Sequence, residues 1–240
     1  MKMTTKHITI TIPFLLIFNF VFCQSYNNAT YTIALNKNIE ENDETNYTSL
    51  IQNLEEKLKE ITFKLNFNNS NSHFVLNKNS LTEDENKTIL NIADMIGDEY
   101  WSTKVSDTVF VKNKRFKFIK NKICYSIIRT EWIITNETKT INGLECIKAY
   151  STLEKEYGDG TKFKTYDLTA WFCPDIKYSF GPKFYKGLPG LIIELEQNLV
   201  VFKLLNLDYI KEKEKILIPK ENSISESSVY DMLESTMPKQ

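Results

Sequence analysis

Hydrophobic and polar positions change their spacing along the chain, and each spacing predicts an element. Tyr47, Leu50, Ile51, Leu54 and Leu58 recur at helical intervals, which puts one apolar stripe on a helix. Immediately afterwards Ile61, Phe63, Leu65 and Phe67 alternate with Thr62, Lys64 and Asn66, the period of a half-buried strand. Thr82 followed by Glu85 forms a capping box. It opens a second helix with Ile89, Leu90, Ala93 and Ile96 on its buried side and Gly97 near its end. From Trp101 onward the pattern is that of strands. Thr108–Val111, Arg115–Ile119 and Ile123–Ile134 are rich in aromatic and β-branched residues. Asn142-Gly143 marks a further turn, Leu199–Leu207 a late strand and Ser228–Met237 a short final helix. The charge run Lys211–Lys215 reads as a solvated loop or strand end.

Tyr157-Gly158-Asp159-Gly160-Thr161 is the most informative local signal, because Asp-Gly suits a two-residue hairpin turn with positive φ at both positions. With Asp159 and Gly160 at the tip, one face pairs Ile147 with Phe172, Ala149 with Ala170, Ser151 with Leu168 and Leu153 with Tyr166. The other pairs Tyr150 with Thr169, Thr152 with Asp167 and Glu154 with Thr165. A slip of one residue would mix the apolar and polar faces, so the register is strongly specified. The same register sets Cys146 opposite Cys173, within reach of a disulfide. That bridge is the first expectation, Cys124–Cys146 is its rival, and Cys124 otherwise reads as a buried, inert thiol.

These elements predict an α+β chain that is predominantly antiparallel β, a curved sheet or half-open barrel with two or three short helices. No internal repeat or long linker divides it, so residues 24–240 read as one domain. Residues 1–23 read as a secretory signal peptide. Lys2 and Lys6 precede an apolar run from Ile8 to Phe22, and cleavage is expected after Cys23. Export would place the protein in the periplasm or outside the cell, where disulfides persist. With 30 Lys+Arg against 31 Asp+Glu, the chain lacks the basic excess of a nucleic-acid binder. After the leader no stretch is long and apolar enough for a transmembrane helix.

Three of the seven glycines and three of the six prolines fall between Pro174 and Gly190. Within that stretch Pro189-Gly190 suits the centre of a type II turn, with positive φ at Gly190. Gly187-Leu188-Pro189-Gly190-Leu191-Ile192 reads GLPGLI. Together with Trp132-x-Ile134, Thr138-Lys139-Thr140-Ile141-x-Gly143, Cys146-x-Lys148-Ala149, Ala170-Trp171-Phe172 and Phe180-Gly181-Pro182, it resembles the GLPGLI family of exported bacterial proteins of unknown function. The resemblance covers about residues 130–195. It implies secretion in a Gram-negative bacterium and a mainly antiparallel β domain, and it supplies no catalytic residue. The strand order is similar, as a fold-level analogy, to the half-open barrels of periplasmic lipoprotein carriers.

Candidate chemistry is sparse. His7 lies in the leader, which leaves His73 as the lone histidine for acid–base work. It reads as a rim residue, with no nucleophile-elbow sequence to pair with it. The cysteines lack metal-ligand spacing, and there is no phosphate-binding glycine loop. No catalytic residue, metal or cofactor is assigned. Glu131, Asp167, Asp175 and Glu194 are the carboxylates that a hydrolase would have to use. Trp171, Phe172, Tyr178, Phe180, Phe184 and Tyr185 surround the Pro-Gly turns. They either cap the core or line a groove for a ligand. The expectation is a non-enzymatic envelope protein that binds a peptide, a lipid or a partner protein. A carboxylate-dependent hydrolase and a structural accessory to an outer-membrane receptor are the alternatives.

Overall fold

The computed structural model describes residues 27–36, 55–78, 93, 96–112, 123–157, 162–198, 200–209, 215–221 and 223–236. The predicted leader, the predicted strand Arg115–Ile119, the predicted Asp159-Gly160 tip and most of the two helices predicted early in the chain lie outside the described residues. Alternation in the sequence becomes one sheet, twelve strands wide among those residues and open at both edges. Its first half is a meander of β1 (Asn28–Leu35), β2 (Thr62–Phe67), β3 (Asn71–Leu76), β4 (Glu99–Thr103), β5 (Ser106–Lys112) and β6 (Ile123–Ile127). The second is a meander of β7 (Ile133–Ile141), β8 (Leu144–Tyr157), β9 (Lys162–Cys173), β10 (Leu191–Gln197) and β11 (Val200–Asp208). The two meanders join where β1 pairs antiparallel with β11, from Asn28↔Asp208 to Leu35↔Val200. A short β12 (Ser223–Ser225) adds to β6 in the one parallel pairing among the described strands. The predominantly antiparallel, curved and unclosed sheet is the predicted class.

The hairpin register is the one the Asp-Gly turn dictates. Ile147 lies opposite Phe172, and the ladder runs unbroken to Tyr157↔Lys162. Asn142 and Gly143 both have positive φ, 51° and 78°, and make the two-residue turn between β7 and β8. Leu199–Leu207 is matched by β11. The final helix, α2 (Glu226–Thr236), starts earlier than predicted because the Ser225 hydroxyl caps it, accepting from the Ser228 amide at 3.2 Å. Residues 55–60 form α1, within the first predicted helix. The predicted strand Ile123–Ile134 is in fact two strands in different halves of the sheet. Ile128 turns its side chain into the core, Arg129 pairs with Asp107 at 3.0 Å, and residues 128–132 cross between the meanders.

The main core includes an aromatic cluster close to the seam. Phe63 stacks on Phe74 at 5.1 Å between centroids, and both meet Phe202 edge-on at 5.8 and 5.9 Å. Such pairs add roughly 0.5–1.5 kcal/mol each beyond area burial. The buried Tyr31 donates its hydroxyl to the Ile192 carbonyl at 2.6 Å, fixing β1 to the start of β10.

Candidate functional site

Residues 174–190 connect β9 to β10 as a compact plug. Ile176 accepts from the Leu191 amide at 3.0 Å, Phe180 accepts from the Ile192 amide at 3.0 Å, and Phe180 bridges to Lys186. Trp132 donates its indole N–H to the Lys186 carbonyl at 2.9 Å. The Lys186 ammonium donates to the carbonyl of Thr103 at 2.6 Å and to that of Ser106. Burial pulls this amine below its ordinary pKa. The plug thus ties the β9–β10 connection to the β4–β5 turn, far along the sheet.

The turn within GLPGLI differs from the one predicted. Positive φ falls at Gly187, 98°, and not at Gly190. The Gly190 amide donates to the Leu188 carbonyl at 2.8 Å, closing a tight turn about Pro189. Glycine is needed at 190 for another reason, since a Cβ there would stand 2.2 Å from the Cys173 carbonyl oxygen. Leu188, Leu191 and Ile192 are buried, so the signature is a packing device. The aromatics around the Pro-Gly turns divide in the same way, with Trp171 half-buried. Phe172, Phe180, Phe184 and Tyr185 are buried in the core, while Tyr178 packs edge-on against Phe67 at 4.8 Å.

Cys146 and Cys173 sit one step beyond Ile147↔Phe172 and are fully buried, yet neither forms a disulfide, and nor does Cys124. The expected bridge is absent. The Cys146 thiol donates instead to the Leu144 carbonyl at 3.4 Å. Burial, then the neighbouring Cys173, push that thiol up to about 11, which makes it unreactive.

Polar side chains gather on the opposite face from the core. Cross-strand register aligns Lys148, Trp171, Glu194 and Lys203 in one row. Lys139 reaches across it, 3.0 Å from the Glu194 carboxylate and 4.3 Å from the Trp171 ring centroid, so the accessible face of Trp171 is covered by a cation. Beside this row lies a cavity of about 350 Å³. Its charged lining is Glu55 and Lys59 from α1, Glu194 and Glu196 from β10, and Lys203 from β11. Ile33, Ala34 and Leu35 form its wall. Among the described residues β2 pairs with β1 only as far as Thr32, so the cavity opens where β1 outruns its neighbour. Asn36 donates its side-chain amide to Glu196. Of the four carboxylates singled out in the sequence, Glu194 alone lines the cavity. Glu131, Asp167 and Asp175 are exposed. Sequence reasoning missed Glu196 and Lys203, although Glu194-x-Glu196 in a strand already implied a shared face.

His73 is less isolated than the sequence suggested. Its Nε2 lies 2.9 Å from Glu99, whose other oxygen is 3.7 Å from Lys112. Its ring stacks on Trp101 at 4.7 Å. The hydrogen bond from His73 holds the Glu99 carboxyl below the ordinary carboxylate value, against the opposing effect of burial.

A family model described as "Protein of unknown function (Porph_ging)" matches residues 153–194, a span that contains the whole plug and the GLPGLI hexapeptide. No curated protein matches the chain. Similar solved structures include two crystal forms of PNGF-II. The C2 form is 15% identical over 89% of this chain and 33% of that chain, with a TM-score of 0.48. A second form is 16% identical over 87% and 33%, with a TM-score of 0.45. The chain spans about a third of the length of those solved chains, and no function is carried over from them.

Proposed function

We propose that this is an exported, non-catalytic envelope protein that binds a peptide, or an extended segment of a partner protein, bearing charges of both signs. The observation that carries this reading is the cavity at the end of β1, which sets three carboxylates and two ammonium groups around a short length of strand. A lipid tail would leave those charges desolvated and unpaired, whereas a zwitterionic chain meets both signs. Export is supported by the leader pattern of residues 1–23. Fluorescence anisotropy with labelled nonapeptides of zwitterionic, basic, acidic and neutral composition tests the proposal. Zwitterionic peptides should bind, weaken with salt and lose most affinity to a Glu194→Gln, Lys203→Gln double variant. Equal affinity for all four classes, or indifference to the double variant, would refute it.

One observation favours a second reading, a carboxylate-dependent hydrolase. Glu194 and Glu196 are two residues apart on one strand face, roughly 6–7 Å along it, a spacing compatible with paired-acid chemistry. Both carboxylates are already engaged, by Lys139 and Asn36, so neither is free to hand a proton to a ligand. Turnover of a bound peptide that disappears in Glu196→Gln would move the assignment to this reading.

A further inference from the structure

Three buried thiols divide between two hydrophobic clusters. Cys146 and Cys173 belong to the main core. Cys124 belongs to a separate small cluster with Val111 and Val229, against which Tyr100 and Ile224 pack. Val229 comes from α2, and its side chain is fully buried. Among the described residues, Val229 and Ile224 of the segment after β11 pack against this cluster. β12 meets β6 over three residues, Ser223↔Ile123 to Ser225↔Tyr125, and all three are only half-buried. Short parallel ladders are slightly weaker per residue than antiparallel ones. The helix start rests on the Ser225 cap. Along α2, Asp231 and Met232 face solvent.

We propose that β12 and α2 form a detachable cap on the edge of the sheet, which opens as a unit while the two meanders stay folded. Opening uncovers the outer backbone edge of β6 and the thiol of Cys124. Units with few buried apolar contacts open at free energies well below global unfolding. A freed strand edge is a place where an extended segment of another chain can pair. In the closed form β12 occupies that edge beside Ile123, Cys124 and Tyr125, leaving Ser126 and Ile127 beyond its reach. Ile127 is already 78% exposed.

The three cysteines make the test internal to one molecule. The native chain is treated with a thiol-alkylating reagent at neutral pH, and each site is followed by mass spectrometry. Rates are normalised to those of the unfolded chain. Cys124 should label first, with Cys146 and Cys173 reacting only as fast as the whole protein unfolds. Val229→Ala should speed Cys124 about tenfold, the factor for roughly two lost methyl groups of burial, and leave the other two unchanged. Ser225→Ala, which removes the cap hydrogen bond from the Ser228 amide together with the hydroxyl contacts to Ser227 and Ser228, should speed it about fivefold and serves if Val229→Ala does not fold. Equal protection of all three thiols, or a variant that speeds all three in proportion, would overturn the cap.

Discussion

The plug at residues 174–190 and the cap at residues 223–236 each close off part of the same sheet, by opposite means. The plug places Ile176, Phe180, Phe184, Tyr185 and Leu188 in the main core. It also reaches across the sheet through Lys186 and receives the indole of Trp132. The cap contributes Val229 to a side cluster and a three-residue ladder. One is welded into the cooperative unit by apolar burial and by hydrogen bonds to distant strands. Among the described residues the other meets one edge of the sheet. Stability in this fold follows the number of independent attachments more than the length of the segment.

That contrast can be broken most severely at Gly190. Gly190→Ala pushes a methyl against the backbone of Cys173, and should cost about 4 kcal/mol or prevent folding. Gly143→Ala, with positive φ but nothing within 4 Å of its new Cβ, should cost only about 1–2 kcal/mol. Urea denaturation of the two variants reads the difference. Next, Lys186→Met removes the tie to the β4–β5 turn, with an expected loss of about 2 kcal/mol in one global transition. A loss confined to a minor early transition would mean that the plug is no more integral than the cap.

A smaller effect belongs to the other half of the sheet. The folded pKa of Glu99 lies below the ordinary 4.5. The contribution of its bond to His73 is therefore complete above that value and disappears as pH falls through the lowered one. Acid titration followed by the fluorescence of Trp101, which stacks on His73, should show this step, and Glu99→Gln should abolish it. Smallest of all is Tyr185→Phe. Among the described residues the buried Tyr185 hydroxyl has only the nearby Gln197 side chain as a weak partner, so its removal should change stability by no more than about 1 kcal/mol. A clear destabilisation would show that a bound water or ligand satisfies it.

Sequence reasoning succeeded where one local rule decided the outcome. Asp159-Gly160 set the β8–β9 register, and the polar–apolar alternation of Thr62–Phe67 gave β2. It failed where distant chain supplied the constraint. Nothing near Gly190 says that the carbonyl of Cys173 will lie against it, so the turn chemistry of Pro-Gly suggested positive φ instead. The aromatics around the plug look alike in sequence, and only the fold distinguishes the buried Phe180 from the half-buried Trp171. The cavity was legible in part. Glu194 was singled out, but Lys59, Glu55 and Lys203 come from elements whose proximity depends on the β1–β11 seam.

That seam has a consequence for how the chain reaches its final state. β1 is among the first strands to be synthesised, yet one of its two neighbours is β11, near the other end of the polypeptide. Contacts so remote in sequence form slowly, and a chain made N-terminus first exposes the unpaired margin of β1 until residues 200–208 have emerged. For most of its synthesis the protein carries an open, aggregation-prone strand that only its own late segment, or a chaperone in its place, can shield.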